Sequence, residues 1–467
     1  MNKQTLWLVL IVIGINAIFN GIFQLHYDES YYWVWGQNLS LSYYDHPPLI
    51  AYLIRLAIML GNSEFFVRLP ALVTTTITLF IVYTMAKKIF DEKVANIAIL
   101  LAIACPIIEA VFFVVTPDSP LLMFWALTLY CFYIGIFEDK VKYIYLAGIF
   151  SGGALLSKYT AVLIFPSLFM FLITSKRHWQ YLLRKDVYLA FILALLIASP
   201  VIIWNYEHGW VSFLFQLHHG MDSTRIFNLD LFFEYWGSQF LVGGPILFCA
   251  IMYYLIRYFK TNLGNDKLAF LVWPLIFTLG FFGYYGLFKH MEGNWPSPAY
   301  LSGFIFLAYW LNKFENRWIY RSSLIFIFIV IIAVKFPTVF APQRFHNRIP
   351  TMNIFYGNKE MLAKVVPYLT PGTVVLGCDY GNASRAWYYL HLKRTYVLDS
   401  FPFAHAYNYW DTRLTLPIKS AIYICDTNDL ENLIILTQYF KSIRLVDVAT
   451  YSNVIADNKT YIYKLYN

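Results

Sequence analysis

The chain has 467 residues, of which 59% are hydrophobic and 13% charged, against roughly 25% charged in soluble domains. That balance excludes an ordinary soluble globular protein. The net charge of +8 does not point to nucleic acid, because the basic residues cluster between apolar windows and not on one soluble face.

Apolar windows recur that are long enough to cross ~30 Å of hydrocarbon, which takes about 20 helical residues. A spanning segment must close its own backbone hydrogen bonds, so the windows read as helices. The alternating pattern of a membrane barrel is missing. About eleven spans are predicted on this length criterion, at 5–25, 67–87, 94–114, 119–137, 142–157, 160–175, 187–205, 232–257, 268–287, 297–312 and 322–340. The first window has Lys3 in front but no small-residue cleavage site, and it reads as a retained helix, not a signal peptide.

Lys and Arg in short loops set the orientation. One set of alternate loops carries Lys87, Lys88, Lys93, Lys140, Lys142, Lys176, Arg177, Arg184, Lys185, Arg257, Lys260, Lys267, Lys313, Arg317 and Arg321, and with Lys3 it is placed in the cytoplasm. The opposite loops carry Asp28, Glu29, Asp45, Asp118, the 206–230 stretch and Lys289 to Trp295, and so face outward, as does everything after about Ala341. The reading is a multi-pass protein of the cytoplasmic (inner) membrane. Residues 1–340 form its transmembrane part, with an outer loop at 26–66, and 341–467 form an extracytoplasmic domain.

In that tail the apolar runs shorten to strand length at Thr373–Leu376, Ala421–Ile424 and Tyr461–Tyr463. Helical patterns lie between them at 358–369, 384–392 and 429–439, which predicts a small α/β domain. Cys105, Cys131 and Cys249 lie in apolar windows and read as inert small hydrophobes. Cys378 and Cys425 lie in the tail, where a disulfide between them is open outside the cytoplasm.

Acidic groups beside a bilayer are costly unless solvated or used. Asp28 and Glu29 follow the first window, among Tyr27, Tyr31, Tyr32, Trp33 and Trp35, which read as an aromatic belt at headgroup level. The pair is either a helix-terminus feature in a wet loop or a general base toward an incoming hydroxyl. Asp45-His46-Pro47-Pro48 follows; two prolines stiffen its backbone. Asp45 is either a helix cap or, with His46, a group that meets a phosphate or a metal. Metal binding would need distant partners such as His218, His219 or Glu292. Asp118, in Thr116-Pro117-Asp118-Ser119-Pro120, reads equally as a helix cap. Lys158, at an outward turn, is either a snorkelling lysine or a grip on a phosphate. Lys289-His290-Met291-Glu292-Gly293-Asn294-Trp295-Pro296 is too dense in reactive groups to be explained by chain turning alone, and its cations suit an anionic headgroup.

These motifs, in this order, resemble the GT-C glycosyltransferases. The likeness is to the bacterial branch of the dolichyl-phosphate-mannose protein mannosyltransferase-like family, which includes lipid A aminoarabinose transferases. It rests on Asp28 to Trp33, Tyr44 to Leu49, Val67-Arg68-Leu69-Pro70, Thr116 to Pro120, Ser157-Lys158-Tyr159, His208-Gly209-Trp210 and Glu292 to Pro296, with Ala383-Ser384-Arg385 through Trp410 in the tail. The resemblance implies a GT-C helix bundle whose first outer loop forms juxtamembrane helices, with a soluble outer domain. It also implies transfer of a sugar from a polyprenyl-phosphate donor to a lipid or glycolipid acceptor, lipid A being the first choice and protein hydroxyls the second.

On that reading Asp28 matches the family's loop acid, while Asp118 and Lys158 match further cavity residues. Asp45-His46 stands where aminoarabinose transferases carry a Glu-Lys pair, a departure that puts aminoarabinose specificity in doubt. The expected catalytic groups are Asp28, Glu29, Asp45 and His46. The expected substrate contacts are Tyr31, Tyr32, Arg68, Asp118, Lys158, Lys289, His290, Glu292 and Asn294. No cofactor is assigned, and a divalent metal ion, with Asp45, His218 and His219 as candidate ligands, is the alternative source of positive charge. A lipid-linked sugar flippase is the competing class, and an assembly subunit with degenerate chemistry is a third.

Overall fold

The computed structural model describes residues 1–221, 227–335, 355–392, 395–397, 405–410, 418–428, 430–452 and 457–467. The chain divides into two compact units: Met1–Ile18, His46–Ile50 and Leu69–Ile331 in the first, and Phe19–Asp45, Ala51–Arg68 and Ile332–Asn467 in the second.

The helices in chain order are α1 (Lys3–Ile22), α2 (Tyr27–Gln37), α3 (Leu49–Ile58), α4 (Glu64–Ile89), α5 (Glu92–Ile103), α6 (Pro106–Phe113), α7 (Asp118–Phe137), α8 (Val141–Ser157), α9 (Ile164–Thr174, after a 3-10 turn at Tyr159–Leu163), α10 (Lys185–Ile197), α11 (Ser199–Glu207), α12 (Val211–Met221), α13 (Leu229–Val242), α14 (Pro245–Thr261), α15 (Asp266–Tyr285), α16 (Ser297–Lys313) and α17 (Arg317–Lys335). Every predicted apolar window falls on one of these helices or a bent pair of them; residues 336–340 of the last window lie outside the described residues. By length and composition, and among the described residues, α1, α4, α7 and α15 are each able to cross a membrane alone.

Three windows read as single straight spans are broken instead. α5 and α6 meet at 64°, α10 and α11 at 52°, and α13 and α14 at 109°. Proline explains each break: it lacks an amide hydrogen and its ring excludes a continuing helix, and Pro106, Pro200 and Pro245 stand at or next to the start of α6, α11 and α14. At the sharpest bend Gly244 takes φ +82, a left-handed conformation open to glycine. Helices α8 and α10 approach closely because Gly148 lies against the Ala190 backbone, the small-residue contact usual between membrane helices.

In the second unit the tail forms α18 (Asn358–Ala363), β1 (Val374–Gly377), α19 (Tyr380–Tyr389), β2 (Tyr396–Val397), β3 (Ser420–Cys425), α20 (Leu430–Leu436), β4 (Ser442–Ser452) and β5 (Asp457–Tyr466). The sheet order is β2-β1-β3-β5-β4, with β1 parallel to β2 and β3, and β5 antiparallel to β3 and β4. Side chains alternate across a strand: Ala421, Tyr423 and Cys425 enter one core, Ile422 and Ile424 the other. Cys378 and Cys425 form a disulfide.

Helix α2 is fixed by its own termini and by Arg68. His26 caps it by accepting from the Asp28 amide at 3.1 Å, while Glu29 accepts from the His26 amide at 2.9 Å, a capping box. The Arg68 guanidinium grips the same carboxylate at 2.8 and 2.6 Å. It also donates to the carbonyls of Asn20, Phe23 and Gln24 at 3.0, 2.7 and 2.8 Å. Glu29 and Arg68 are both fully buried. Tyr31, Tyr32, Trp33 and Trp35 are buried too, so they are packing residues of this unit and not the exposed aromatic belt expected; Trp35 stacks on Tyr43 at 4.1 Å. Replacing Arg68 with Leu strands a buried carboxylate, so Arg68→Leu is expected to cost about 3–5 kcal/mol. That loss would appear as a lower thermal unfolding midpoint of the detergent-solubilised protein, and an unchanged midpoint contradicts it.

Candidate active site

Polar chemistry gathers in two clusters, one inside each unit. In the first unit Asp118 opens α7, and Lys158 follows the last residue of α8 in extended backbone, φ −155 and ψ 144. The Lys158 ammonium meets both Asp118 oxygens at 2.8 and 3.0 Å. Asn294 donates to Asp118 Oδ2 at 2.8 Å. Asp118 and Lys158 are almost wholly buried, at 2% and 4% exposure, and a charge held out of water persists only when paired.

The Asn294 loop is pinned from α13. Gln239 donates to the Gly293 carbonyl at 3.0 Å, and Tyr300 donates to Gln239 Oε1 at 3.1 Å. His46 lies within the electrostatic reach of this cluster. Burial, and then the Lys158 charge, lower its pKa to about 3, against an opposing pull from Asp118. The imidazole is therefore neutral, and Lys158 is the cation of the cluster among the described residues.

In the second unit the carboxylates of Asp28 and Asp45 are joined through tyrosines. Tyr31 donates to Asp45 Oδ2 at 2.7 Å and accepts from the Ala406 amide at 2.6 Å. Tyr380 packs on the Tyr31 ring at 4.5 Å and donates to Asp28 Oδ1 at 3.2 Å. Loss of hydration pushes the Asp45 carboxyl up to about 6, with the Tyr31 hydrogen bond holding it down in part. Asp28 keeps a third of its side chain exposed, with His26 Nδ1 3.6 Å away. That histidine is neutral, since burial lowers it to about 4, in keeping with its acceptor bond from the Asp28 amide.

Residues 45–204 match the model of the family described as dolichyl-phosphate-mannose-protein mannosyltransferase. The chain is 26% identical over 404 residues to the lipid A galacturonosyltransferase RgtD of Rhizobium johnstonii, a match spanning 84% of this chain and 83% of that relative. Its fold matches ArnT from Cupriavidus metallidurans with a TM-score of 0.66 in the apo state and 0.69 in the form bound to undecaprenyl phosphate. Identity there is 13% and 14%, and 99% of this chain and 98% of the other are covered.

The chain is similar in sequence and in fold to GT-C glycosyltransferases.

The structure brings together Asp118, Lys158 and Asn294, three residues the sequence singled out separately. Glu29 and Arg68 are joined to each other and to backbone, so the geometry gives them a positioning part. His290 instead pairs with Glu234 at 3.0 Å and Glu292 at 3.3 Å among exposed side chains. Lys289 lies on the same loop, half-buried, and Tyr32 packs on Trp35 at 5.0 Å. Among the described residues no three His, Cys, Asp or Glu side chains gather as metal ligands; the side chains of His218 and His219 lie outside them. Sequence reading missed Tyr380 and Gln239. The first is one tyrosine among 38. The second carried a signal, an amide in an otherwise apolar stretch.

Proposed function

We propose that this membrane glycosyltransferase moves a sugar from a polyprenyl-phosphate carrier to a glycolipid acceptor, lipid A or a relative of it, at the outer face of the cytoplasmic membrane. The observation that carries the reading is the buried Lys158–Asp118–Asn294 cluster beside neutral His46, a fixed cation in an otherwise apolar bundle. The relatives support it, one being named for lipid A and the other solved with undecaprenyl phosphate. The Cys378–Cys425 disulfide favours an oxidising compartment for the tail, as does the loop charge pattern. Nucleotide sugars are confined to the cytoplasm, so an outward site needs a lipid-linked donor.

The reaction is a single displacement with inversion. The acceptor hydroxyl oxygen attacks the anomeric carbon from the side opposite the phosphate. A C–O bond forms there while the C–O bond to phosphate breaks, its electron pair staying on the phosphate oxygen. The hydroxyl proton passes to a carboxylate, for which Asp28, the more exposed of the two, is assigned. Lys158 offsets charge on the departing polyprenyl phosphate, with Asp118 and Asn294 holding the ammonium in place. Neutral His46 serves as a hydrogen-bonding partner and not as a second cation. Asp45 stands behind Tyr31 and Tyr380 as the pH-sensitive carboxylate.

Asp28→Asn is expected to lower turnover by about 10²–10⁴-fold, the range for a general base, with the thermal midpoint unchanged; retained turnover would remove Asp28 from that role. The raised pKa of Asp45 means that it carries a proton below about pH 6. Activity that needs its charge therefore rises with pH through that value. Tyr31→Phe deletes the hydrogen bond that favours the charged form, so the acid limb of the pH–rate profile is expected to move upward. A limb that stays in place or moves downward refutes this.

A further inference from the structure

We propose that the first unit holds an anionic glycerophospholipid, with one acyl chain in an apolar groove between α7, α8, α9 and α10 and the phosphate at the lysines that end the groove. The inference rests on the membrane-spanning reading and on no part of the proposed reaction.

The groove has a volume of about 430 Å³, within the ~300–1,000 Å³ of small-molecule sites. Small residues make its deep side: Ala147, Gly148 and Ala190 line it, and both alanines are buried. A Cβ on Gly148 would come within 2.3 Å of the Ala190 carbonyl oxygen, so the helices touch there and close the groove at the back. Large side chains with an open face make its rim. Phe169 is 51% exposed, Phe191 43% and Tyr188 58%, and Phe165 meets Phe191 edge to face at 5.1 Å. A bulky rim over a small-residue floor leaves a slot that suits a hydrocarbon chain. All residues of these four helices and of the loops joining them are described.

Charge decides which lipid the slot takes. The Lys158–Asp118 pair holds the end of α8 against the start of α7. The end of α7 and the start of α8 therefore lie together at the opposite pole. The groove is set toward that pole, since its first lining residue on α7 is Thr128, about 15 Å along the helix from Asp118. Lys142 and Lys185 each precede a lining residue, Ile144 and Val187, in the first turn of α8 and of α10.

The loops at this pole hold an excess of cations. Their acids, Glu138, Asp139 and Asp186, are already paired: Glu138 with Lys88 and Lys140, and the two aspartates with Arg184. Lys142, Lys176, Arg177 and Lys185 are exposed, and none has a carboxylate partner among the described residues. Trp179, 52% exposed, stands in the same loop region as Lys176 and Arg177, as an aromatic anchor at headgroup level does. Unneutralised cations at the end of a slot between membrane helices are what holds an acidic headgroup. A zwitterionic lipid would make the chain contact without the charge contact.

The test is native mass spectrometry of the full-length protein released from detergent. It is first incubated with equal amounts of phosphatidylglycerol and phosphatidylcholine carrying the same acyl chains. The wild type is expected to retain phosphatidylglycerol at least tenfold over phosphatidylcholine. Lys142→Gln combined with Lys185→Gln is expected to lower phosphatidylglycerol retention about 25-fold, roughly fivefold for each cation removed. Both lysines are exposed, so the thermal midpoint without lipid should not change. Val187→Trp fills the slot and should lower retention of both lipids.

Equal retention of the two lipids by the wild type overturns the site and leaves ordinary annular lipid only. Undiminished phosphatidylglycerol in either variant overturns it too. So does retention of polyprenyl phosphate in preference to phosphatidylglycerol when the two are added in equal amount, which would give the slot to an isoprenoid chain.

Discussion

One guanidinium organises the chemistry of the second unit. Arg68 neutralises Glu29 inside the protein and collects three carbonyls, at Asn20, Phe23 and Gln24, left open by the end of α1. A carboxylate without water needs such a partner, and an arginine can serve several acceptors at once because its donors form a rigid fork. With that bond made, α2 is held at its first turn. Asp28 and Tyr31 on one part of it, and Trp33 on another, are then fixed without further effort from the loop. Adjacent acids thus differ in role: Glu29 is buried against Arg68, while Asp28 keeps a third of its side chain exposed.

The first unit solves a related problem differently. Lys158 follows directly on the end of α8 and cannot stay charged in an apolar bundle by itself. Asp118, 40 residues away in the chain, satisfies it, and Asn294, 136 residues from Lys158, donates to that same carboxylate. The pairing fixes the position of the ammonium. Such preorganisation is what makes an electrostatic group effective in a low-dielectric site. Burial first, and then the Lys158 charge, keep the nearby His46 neutral.

The helical fold was largely readable because hydrocarbon thickness dictates the length of an apolar run, and that length survives in composition. The bends were not read, though their signals were present: Gly244-Pro245 and Pro106 sit inside runs that are uniformly apolar, and a window average hides them. Strand β4 was missed because Ser442–Ser452 is half exposed and carries Arg444 and Asp447, so no apolar run marks it. The site was legible as separate motifs and not as clusters. Nothing local in the sequence says that Asn294 reaches Asp118, or that Tyr380 reaches Asp28 across 352 residues, since such pairings are set by tertiary packing.

The central claim is that a covalent bond is made and broken and that the lipid is not merely carried. Purified protein in vesicles, given a polyprenyl-phosphate-linked sugar and lipid A and followed by mass spectrometry, decides it most directly. The account predicts lipid A heavier by one sugar residue, with free polyprenyl phosphate released in equal amount. Intact donor recovered on the opposite leaflet, with lipid A unchanged, would contradict it and mark the protein as a flippase.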